Sequence, residues 1–203
     1  IWPPEPGLGS LEELKAIVDQ DGPYLTVLHD NYQDMYPRTS SFPHGVVRRR
    51  NGELLHGGYW HGGLCYITCT EFQRRYAERN WKQIRQLNPS GCFVDTAACV
   101  QFYQCWDPEH PMTRAQDRQR KISLMQFFKD QGMVLGSEEA ADFGLSQIDF
   151  LENRHRHVVG ETIPLWPLCF HDVTFLTRYS TGGTSGGKPV RQLENFLWGY
   201  MSY

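Results

Sequence analysis

Residues 92–140 read CFVDTAACVQFYQCWDPEHPMTRAQDRQRKISLMQFFKDQGMVLGSEEA. A short apolar run, Cys92 to Val94, ends in Asp95; a second, Met133 to Gly136, leads into Ser137, Glu138 and Glu139. Between them Thr113 caps a helix that runs to about Asp130, with Ile122, Met125 and Phe128 on its inward side, and Gln131-Gly132 ends it. The segment is therefore strand, helix, strand, with an acid at the tip of each strand. Parallel strands joined by a helix bring both tips to one edge of a sheet.

Working outward, 203 residues with 40% hydrophobic and 13% aromatic content are enough for one sizeable core, and no apolar run is long enough to cross a membrane. A formal charge of −3 supplies no field to gather nucleic acid, and the basic run Arg48 to Arg50 is too short to change that. The six cysteines form no CxxC pair and lie among apolar residues, which suits small buried hydrophobes better than a disulfide framework or a zinc site. No signal peptide is recognisable and no compartment is indicated. The start at Ile1 in IWPPEPG, rather than at methionine, points to a piece of a longer protein. Nothing in the composition indicates a cofactor or an oligomeric state.

Upstream, Ser10 and Glu13 form a capping box for a helix to about Gln20. A strand, Tyr24 to Leu28, ends in His29-Asp30-Asn31. Val46 to Leu55 forms a hairpin around Asn51-Gly52, a surface insertion by its arginines. Gly57 to Gly63 (GGYWHGG) reads as a glycine-rich loop holding Tyr59, Trp60 and His61, either a sugar-stacking platform or a packed turn. Thr70 caps a long helix to about Leu87. Downstream, Ile148 to Leu151 is a brief strand, 152–157 a polar loop, and Ile163 to Phe170 an apolar run ending in His171-Asp172. TGGTSGGK at 181–188 departs from a phosphate loop, because Pro189 follows the lysine. Val190 to Tyr203 reads as a closing helix. No second-domain boundary is apparent, so 1–203 is taken as a single domain.

Four runs now end alike: TVLHD, FVDT, VLGSEE and LCFHD. For any single acid, capping the next helix is the simpler reading. Four together fit the shared mouth of an α/β barrel, where functional groups project from the C-terminal strand ends. Glycoside hydrolysis needs such a mouth, with one carboxylate as nucleophile or base and one carboxyl as proton donor. Trp60, Trp106 and Trp166 offer aromatic faces for sugar rings or fill the core. Two further readings stay open: a carbohydrate-binding barrel without turnover, and a metal-dependent hydrolase using His29, Asp30, His171 and Asp172, which the opposite pointing of strand neighbours disfavours.

The motifs HDNYQDMYP, GGYWHGG, FVDT, DPEHPMTRAQDR, GSEEA and IPLWPLCFHD together resemble a group of bacterial glycosidase-like proteins. That group is similar to the endo-α-N-acetylgalactosaminidase and α-N-acetylgalactosaminidase families of retaining glycoside hydrolases. The resemblance covers most of Tyr24 to Tyr179. It implies an α/β fold of the (β/α)8 TIM-barrel type, of which this chain holds five or six strands, so an excerpt of a barrel or an incomplete one. It also implies an oligosaccharide or glycoconjugate substrate with α-linked GalNAc- or galactose-type sugars. Asp95 matches the nucleophile and Glu138 the acid/base, with Glu139 a substitute; Asp30 and Asp172 match positions that hold sugar hydroxyls.

Overall fold

The computed structural model describes residues 7, 9–20, 24–99, 101–139, 141–152, 157–158, 161–162, 165–178 and 201–202. The glycine-rich loop at 181–188 and residues 190–200 of the expected closing helix lie outside them.

The chain opens with α1 (Leu11–Val18), β1 (Val27–Asp30), β2 (Asp34–Met35), β3 (His56–Trp60), β4 (Gly63–Ile67) and α2 (Thr70–Leu87). There follow β5 (Gly91–Val94), α3 (Arg114–Asp130), β6 (Val134–Glu138) and β7 (Phe150–Glu152). Last come β8 (His157–Val158), β9 (Glu161–Thr162), α4 (Leu165–Phe170), β10 (Phe175–Arg178) and β11 (Met201–Ser202). One six-stranded sheet runs β1-β5-β6-β7-β10-β11, and every neighbouring pair is parallel. Its order follows the chain without reversal, which is the winding of a TIM-type barrel and not of a doubly wound sheet. A three-stranded antiparallel sheet, β2-β4-β3, leaves the C-terminal end of β1 and returns through α2.

Local sequence explains the elements that flank the site. Thr113 and Gln116 close a capping box on α3, with Asp117 in the first turn and Lys129 in the last, each complementing the helix dipole. Gly132, at φ +79, turns the chain out of α3 towards β6. Strand alternation puts Cys92, Val94, Leu135, Leu151 and Leu176 in one buried cluster with Leu124, Met125 and Phe128 of α3. Burying a side chain such as Phe128 or Leu135, both 0% exposed, contributes about 1.5–3 kcal/mol. Among the described residues no helix is long and apolar enough to cross a membrane.

Several expectations change. Within the run Ile163 to Phe170, the described part Leu165–Phe170 is helical and not a strand, with Pro167 in the first turn, where a missing N–H costs nothing because it has no intrahelical acceptor. The strand follows, at Phe175–Arg178. Met201–Ser202 pairs with it as a strand, so the expected closing helix does not extend to that end. GGYWHGG is not a loop: Gly57 to Trp60 belong to β3, His61-Gly62 form the hairpin turn, and Gly63 opens β4. The 46–55 hairpin does form, with Arg49 N–H donating to Glu53 O at 2.8 Å. It is not merely a surface insertion, since Val46 and Val47 are each 1% exposed. Thr70 does not cap α2; Cys69 occupies that position, and the Thr70 hydroxyl donates to Asp117 instead.

Candidate active site

Register places the functional side chains. His29, Phe93, Gly136 and Phe150 lie at one level across β1, β5, β6 and β7, and Asp30, Val94, Ser137 and Leu151 at the next. One step further stand Asn31, Asp95, Glu138 and Glu152, the last two paired in register. Alternation turns this third level the same way as His29, Phe93 and Phe150, towards the barrel interior, and turns Val94 and Leu151 towards the helices. Beneath the acids His29 stacks on Phe93 at 5.3 Å, and Phe93 meets Phe150 at 6.0 Å. A side chain on Gly136 would run into the Phe150 ring.

The two strand tips bend alike. Thr96, directly after Asp95, has φ +61, and Glu139, directly after Glu138, has φ +50. Left-handed backbone at a non-glycine residue costs on the order of 1–2 kcal/mol. Each tip is held against that cost. Asp95 N–H donates to Asp30 O at 2.9 Å, and Glu139 N–H to Glu152 O at 2.8 Å. Buried Ser137 donates to Val94 O and accepts from Ala98 N–H, tying the loop after Asp95 to β6.

The Asp95 and Glu138 side chains face one cleft of about 610 Å³, close enough to influence each other's charge. Asn31 organises them. Its Oδ1 accepts the N–H groups of Gln33 and Asp34, which fixes the amide so that Nδ2 donates to Asp95 Oδ2 at 2.9 Å and to Asp34 Oδ2 at 3.1 Å. Burial pushes the Asp95 carboxyl above the ordinary carboxylate range, against the opposing influence of Glu138 and Asn31. Asp34 is raised as well, first by burial, against the opposing influence of Cys65, Asn31 and Trp60 beside it. Burial lowers His29 at the cleft floor by disfavouring its charged form. Trp60 lies back over Gly58, where any side chain would collide with the indole.

Gln101 and Tyr103 also face the cleft, held by two buried charges of α3. Lys121 Nζ donates to Gln101 O at 2.9 Å. Asp117 accepts Tyr103 N–H at 2.8 Å and the Thr70 hydroxyl at 2.8 Å.

Of the residues expected from sequence, His29, Trp60, Asp95 and Glu138 come together here. The others do not. Glu139 is carried past the cleft by its left-handed turn. Asp30 is 4% exposed and points to the helix side, beside Tyr32, whose hydroxyl is pushed up by burial and by the Asp30 charge. His171 and Asp172 precede β10, so they sit at the opposite, N-terminal edge, with His171 Nδ1 2.7 Å from Pro167 O. Trp166 is on α4 against Phe170 at 4.5 Å. Trp106 stands outside the cleft under Arg50, and Tyr59 is 80% exposed on the other side of β3 from Trp60. The four residues offered for a metal-dependent hydrolase are thereby dispersed over two faces and two edges.

Sequence reasoning missed Asn31, Asp34, Gln101, Tyr103 and Glu152. Two signals were available: Asn31 followed by Asp34 is an Asx-turn pattern, and DFLE ends in an acid as FVD does.

The model of the family described as glycosyl hydrolases related to GH101, GH129, matches residues 24–173. No curated protein matches the chain. The chain resembles the α-N-acetylgalactosaminidase NagBb from Bifidobacterium bifidum in its Gal-NHAc-DNJ complex, at TM-score 0.78 and 24% identity over 93% of this chain and 32% of that one. The GalNAc complex of NagBb aligns at 0.74 and 24%, over 86% and 30%. TtGalA, an α-galactosidase from Thermus thermophilus in complex with stachyose, aligns at 0.59 and 11%, over 86% and 44%. At these identities the likeness is one of fold, and the chain spans about a third of the NagBb length.

Proposed function

We propose, from the premise that the chain belongs to the glycosyl hydrolases related to GH101, family GH129, that its cleft is the catalytic centre of a retaining α-glycosidase. Its substrates are GalNAc- or galactose-type sugars. The observation that carries this reading is the Asp95–Glu138 pair at the tips of adjacent parallel strands, both side chains lining one cleft. Neighbouring strands lie about 4.8 Å apart. Side chains rising from such tips reach the roughly 5–5.5 Å carboxyl separation of a retaining enzyme with little splaying, and the 6.5–9.5 Å of an inverting one only with much.

In this mechanism Asp95 attacks the anomeric carbon as the bond to the leaving oxygen breaks, and Glu138 gives that oxygen its proton. The glycosyl ester on Asp95 then yields to water, from which Glu138 takes a proton as the carbon–oxygen bond to Asp95 breaks. Burial raises the Asp95 carboxyl, which favours its protonated form before the sugar enters. Asn31 donates to Asp95 and keeps it aimed; the Trp60 indole at the cleft offers a face to the sugar ring. The sugar class is supported by the fold shared with NagBb and TtGalA.

The test uses the full-length protein and a panel of α- and β-linked aryl glycosides. Asp95→Asn is expected to remove at least about a thousandfold of the turnover. Glu138→Gln should cost about 10²–10⁴-fold on a sugar leaving group and far less on a nitrophenyl one, which departs without a proton. Undiminished activity of Asp95→Asn, or a Glu138→Gln loss independent of the leaving group, would refute the assignment. Product released first with inverted anomeric configuration would refute the retaining course.

A further inference from the structure

Away from the cleft, the fold gathers Cys69, Cys105 and His110, all buried, with one ligand atom of each within 4.8 Å of the other two. Spacing along the chain argues against a zinc site because no two cysteines stand in a CxxC pair. The fold supplies what spacing does not: Cys69 caps α2, Cys105 bridges to Met112, and His110 sits in the turn between those two. We propose that Cys69, Cys105 and His110 form a structural site for a thiophilic metal ion of the zinc class.

Geometry supports metal ligation over a chance meeting of thiols. With Zn–S near 2.3 Å and Zn–N near 2.0–2.1 Å, tetrahedral ligands stand about 3.6 Å apart for an S–N pair and about 3.8 Å for two sulfurs. Cys105 Sγ lies 3.4 Å from His110 Nδ1. Met112 Sδ lies 3.7 Å from Cys69 Sγ, and a thiolate, imidazole and thioether set is the soft environment that favours such ions. Outer partners are also in place. Cys105 Sγ accepts the Arg48 N–H at 3.3 Å. His110 Nε2, the nitrogen turned away from the sulfur, is 3.7 Å from Asp107 Oδ1, and Arg48 Nε donates to Asp107 Oδ2 at 2.9 Å. A carboxylate behind the far nitrogen is how metal-binding histidines are oriented. Phe72 edges onto the His110 ring at 5.1 Å and helps keep water out.

An ion here joins the start of α2 to the segment 101–112, which places Gln101 and Tyr103 at the cleft. Binding would take both cysteines as thiolates and fix that segment from its far end, so its role is structural and independent of the proposed sugar chemistry.

The experiment loads the full-length protein with Zn²⁺, removes loose metal by gel filtration and measures metal per chain. In parallel it refills chelator-stripped protein with Co²⁺. Expected are a single retained zinc, near-ultraviolet thiolate-to-cobalt absorption, and shielding of both thiols from a thiol reagent until chelator is added. Cys69→Ser with Cys105→Ser should lose the zinc and the cobalt band. His110→Gln, which leaves both sulfurs, should weaken zinc retention at least tenfold with an unchanged circular dichroism spectrum. The proposal falls if wild-type protein shows neither retained zinc nor the thiolate band, if the band survives the double substitution, or if peptide mapping of the native protein finds a Cys69–Cys105 disulfide. Zinc held by oxygen ligands in the cleft would give no thiolate band, and so counts against it.

Discussion

Asp95 and Glu138 stand side by side because β5 and β6 pair in register, and Asn31 holds Asp95 in place. Asp95 has a folded-state carboxyl raised above its unfolded value by burial. Such a group contributes stability that is full below the unfolded value, about 4, and is lost as pH rises through the folded one. Near neutral pH its ionised form is thus a cost that folding bears. Replacing Asp95 with Asn should accordingly raise the melting temperature at pH 7 while abolishing turnover, and the gain should vanish near pH 4. Calorimetry at the two pH values decides this; a loss of stability at pH 7 would mean that the opposing influence of Glu138 and Asn31 outweighs burial. With Asp95 as the proposed nucleophile, which must be ionised to attack, the same shift should move the acid limb of kcat/KM above the ordinary carboxylate range.

Elements deliver these residues with differing security. In the β3-β4 hairpin Gly58 is the space into which Trp60 folds, so Gly58→Ala must displace the indole. KM should rise roughly tenfold, the worth of one aromatic contact near 1.4 kcal/mol, with a smaller change in kcat. In α3, Asp117 and Lys121 are 0% and 1% exposed, and they grip Tyr103 and Gln101. Asp117→Ala leaves the Tyr103 N–H unpaired and Lys121 without its nearest opposing charge, so urea unfolding should show a loss of about 3–5 kcal/mol. What was legible in the sequence follows the same division. FVDT and VLGSEE are short apolar strands bounded by glycine and a capped helix, and both were readable. IPLWPLCF was not, because an eight-residue apolar run carries no period that separates helix from strand. That one ambiguity placed His171, Asp172 and Trp166 at the mouth, although they belong to the other edge. Asp30 was misassigned by a single step of alternation, and Asn31 and Asp34 were the residues it concealed.

The six parallel strands explain why a third of a larger relative's length can hold a whole acid pair: the pair needs only β5 and β6, with β1 and the hairpin sheet to furnish Asn31, Asp34 and Trp60. Cys69, Cys105 and His110 were invisible beforehand for the converse reason, since their meeting depends on long-range packing that no local pattern encodes. The floor of the cleft depends on such packing too. Gly136→Ala alone should destabilise by about 1–3 kcal/mol through overpacking, and Phe150→Leu alone should leave a void. Together they should cost less than the sum, with a coupling of about 0.5–3 kcal/mol in a double-mutant cycle. For descent this makes positions 136 and 150 a single inherited character. A lineage that acquires a side chain at 136 must already have shed the ring at 150, so the two changes carry an order in time. Homologues should divide into glycine with an aromatic and a larger residue with a smaller partner, with few intermediates surviving between them.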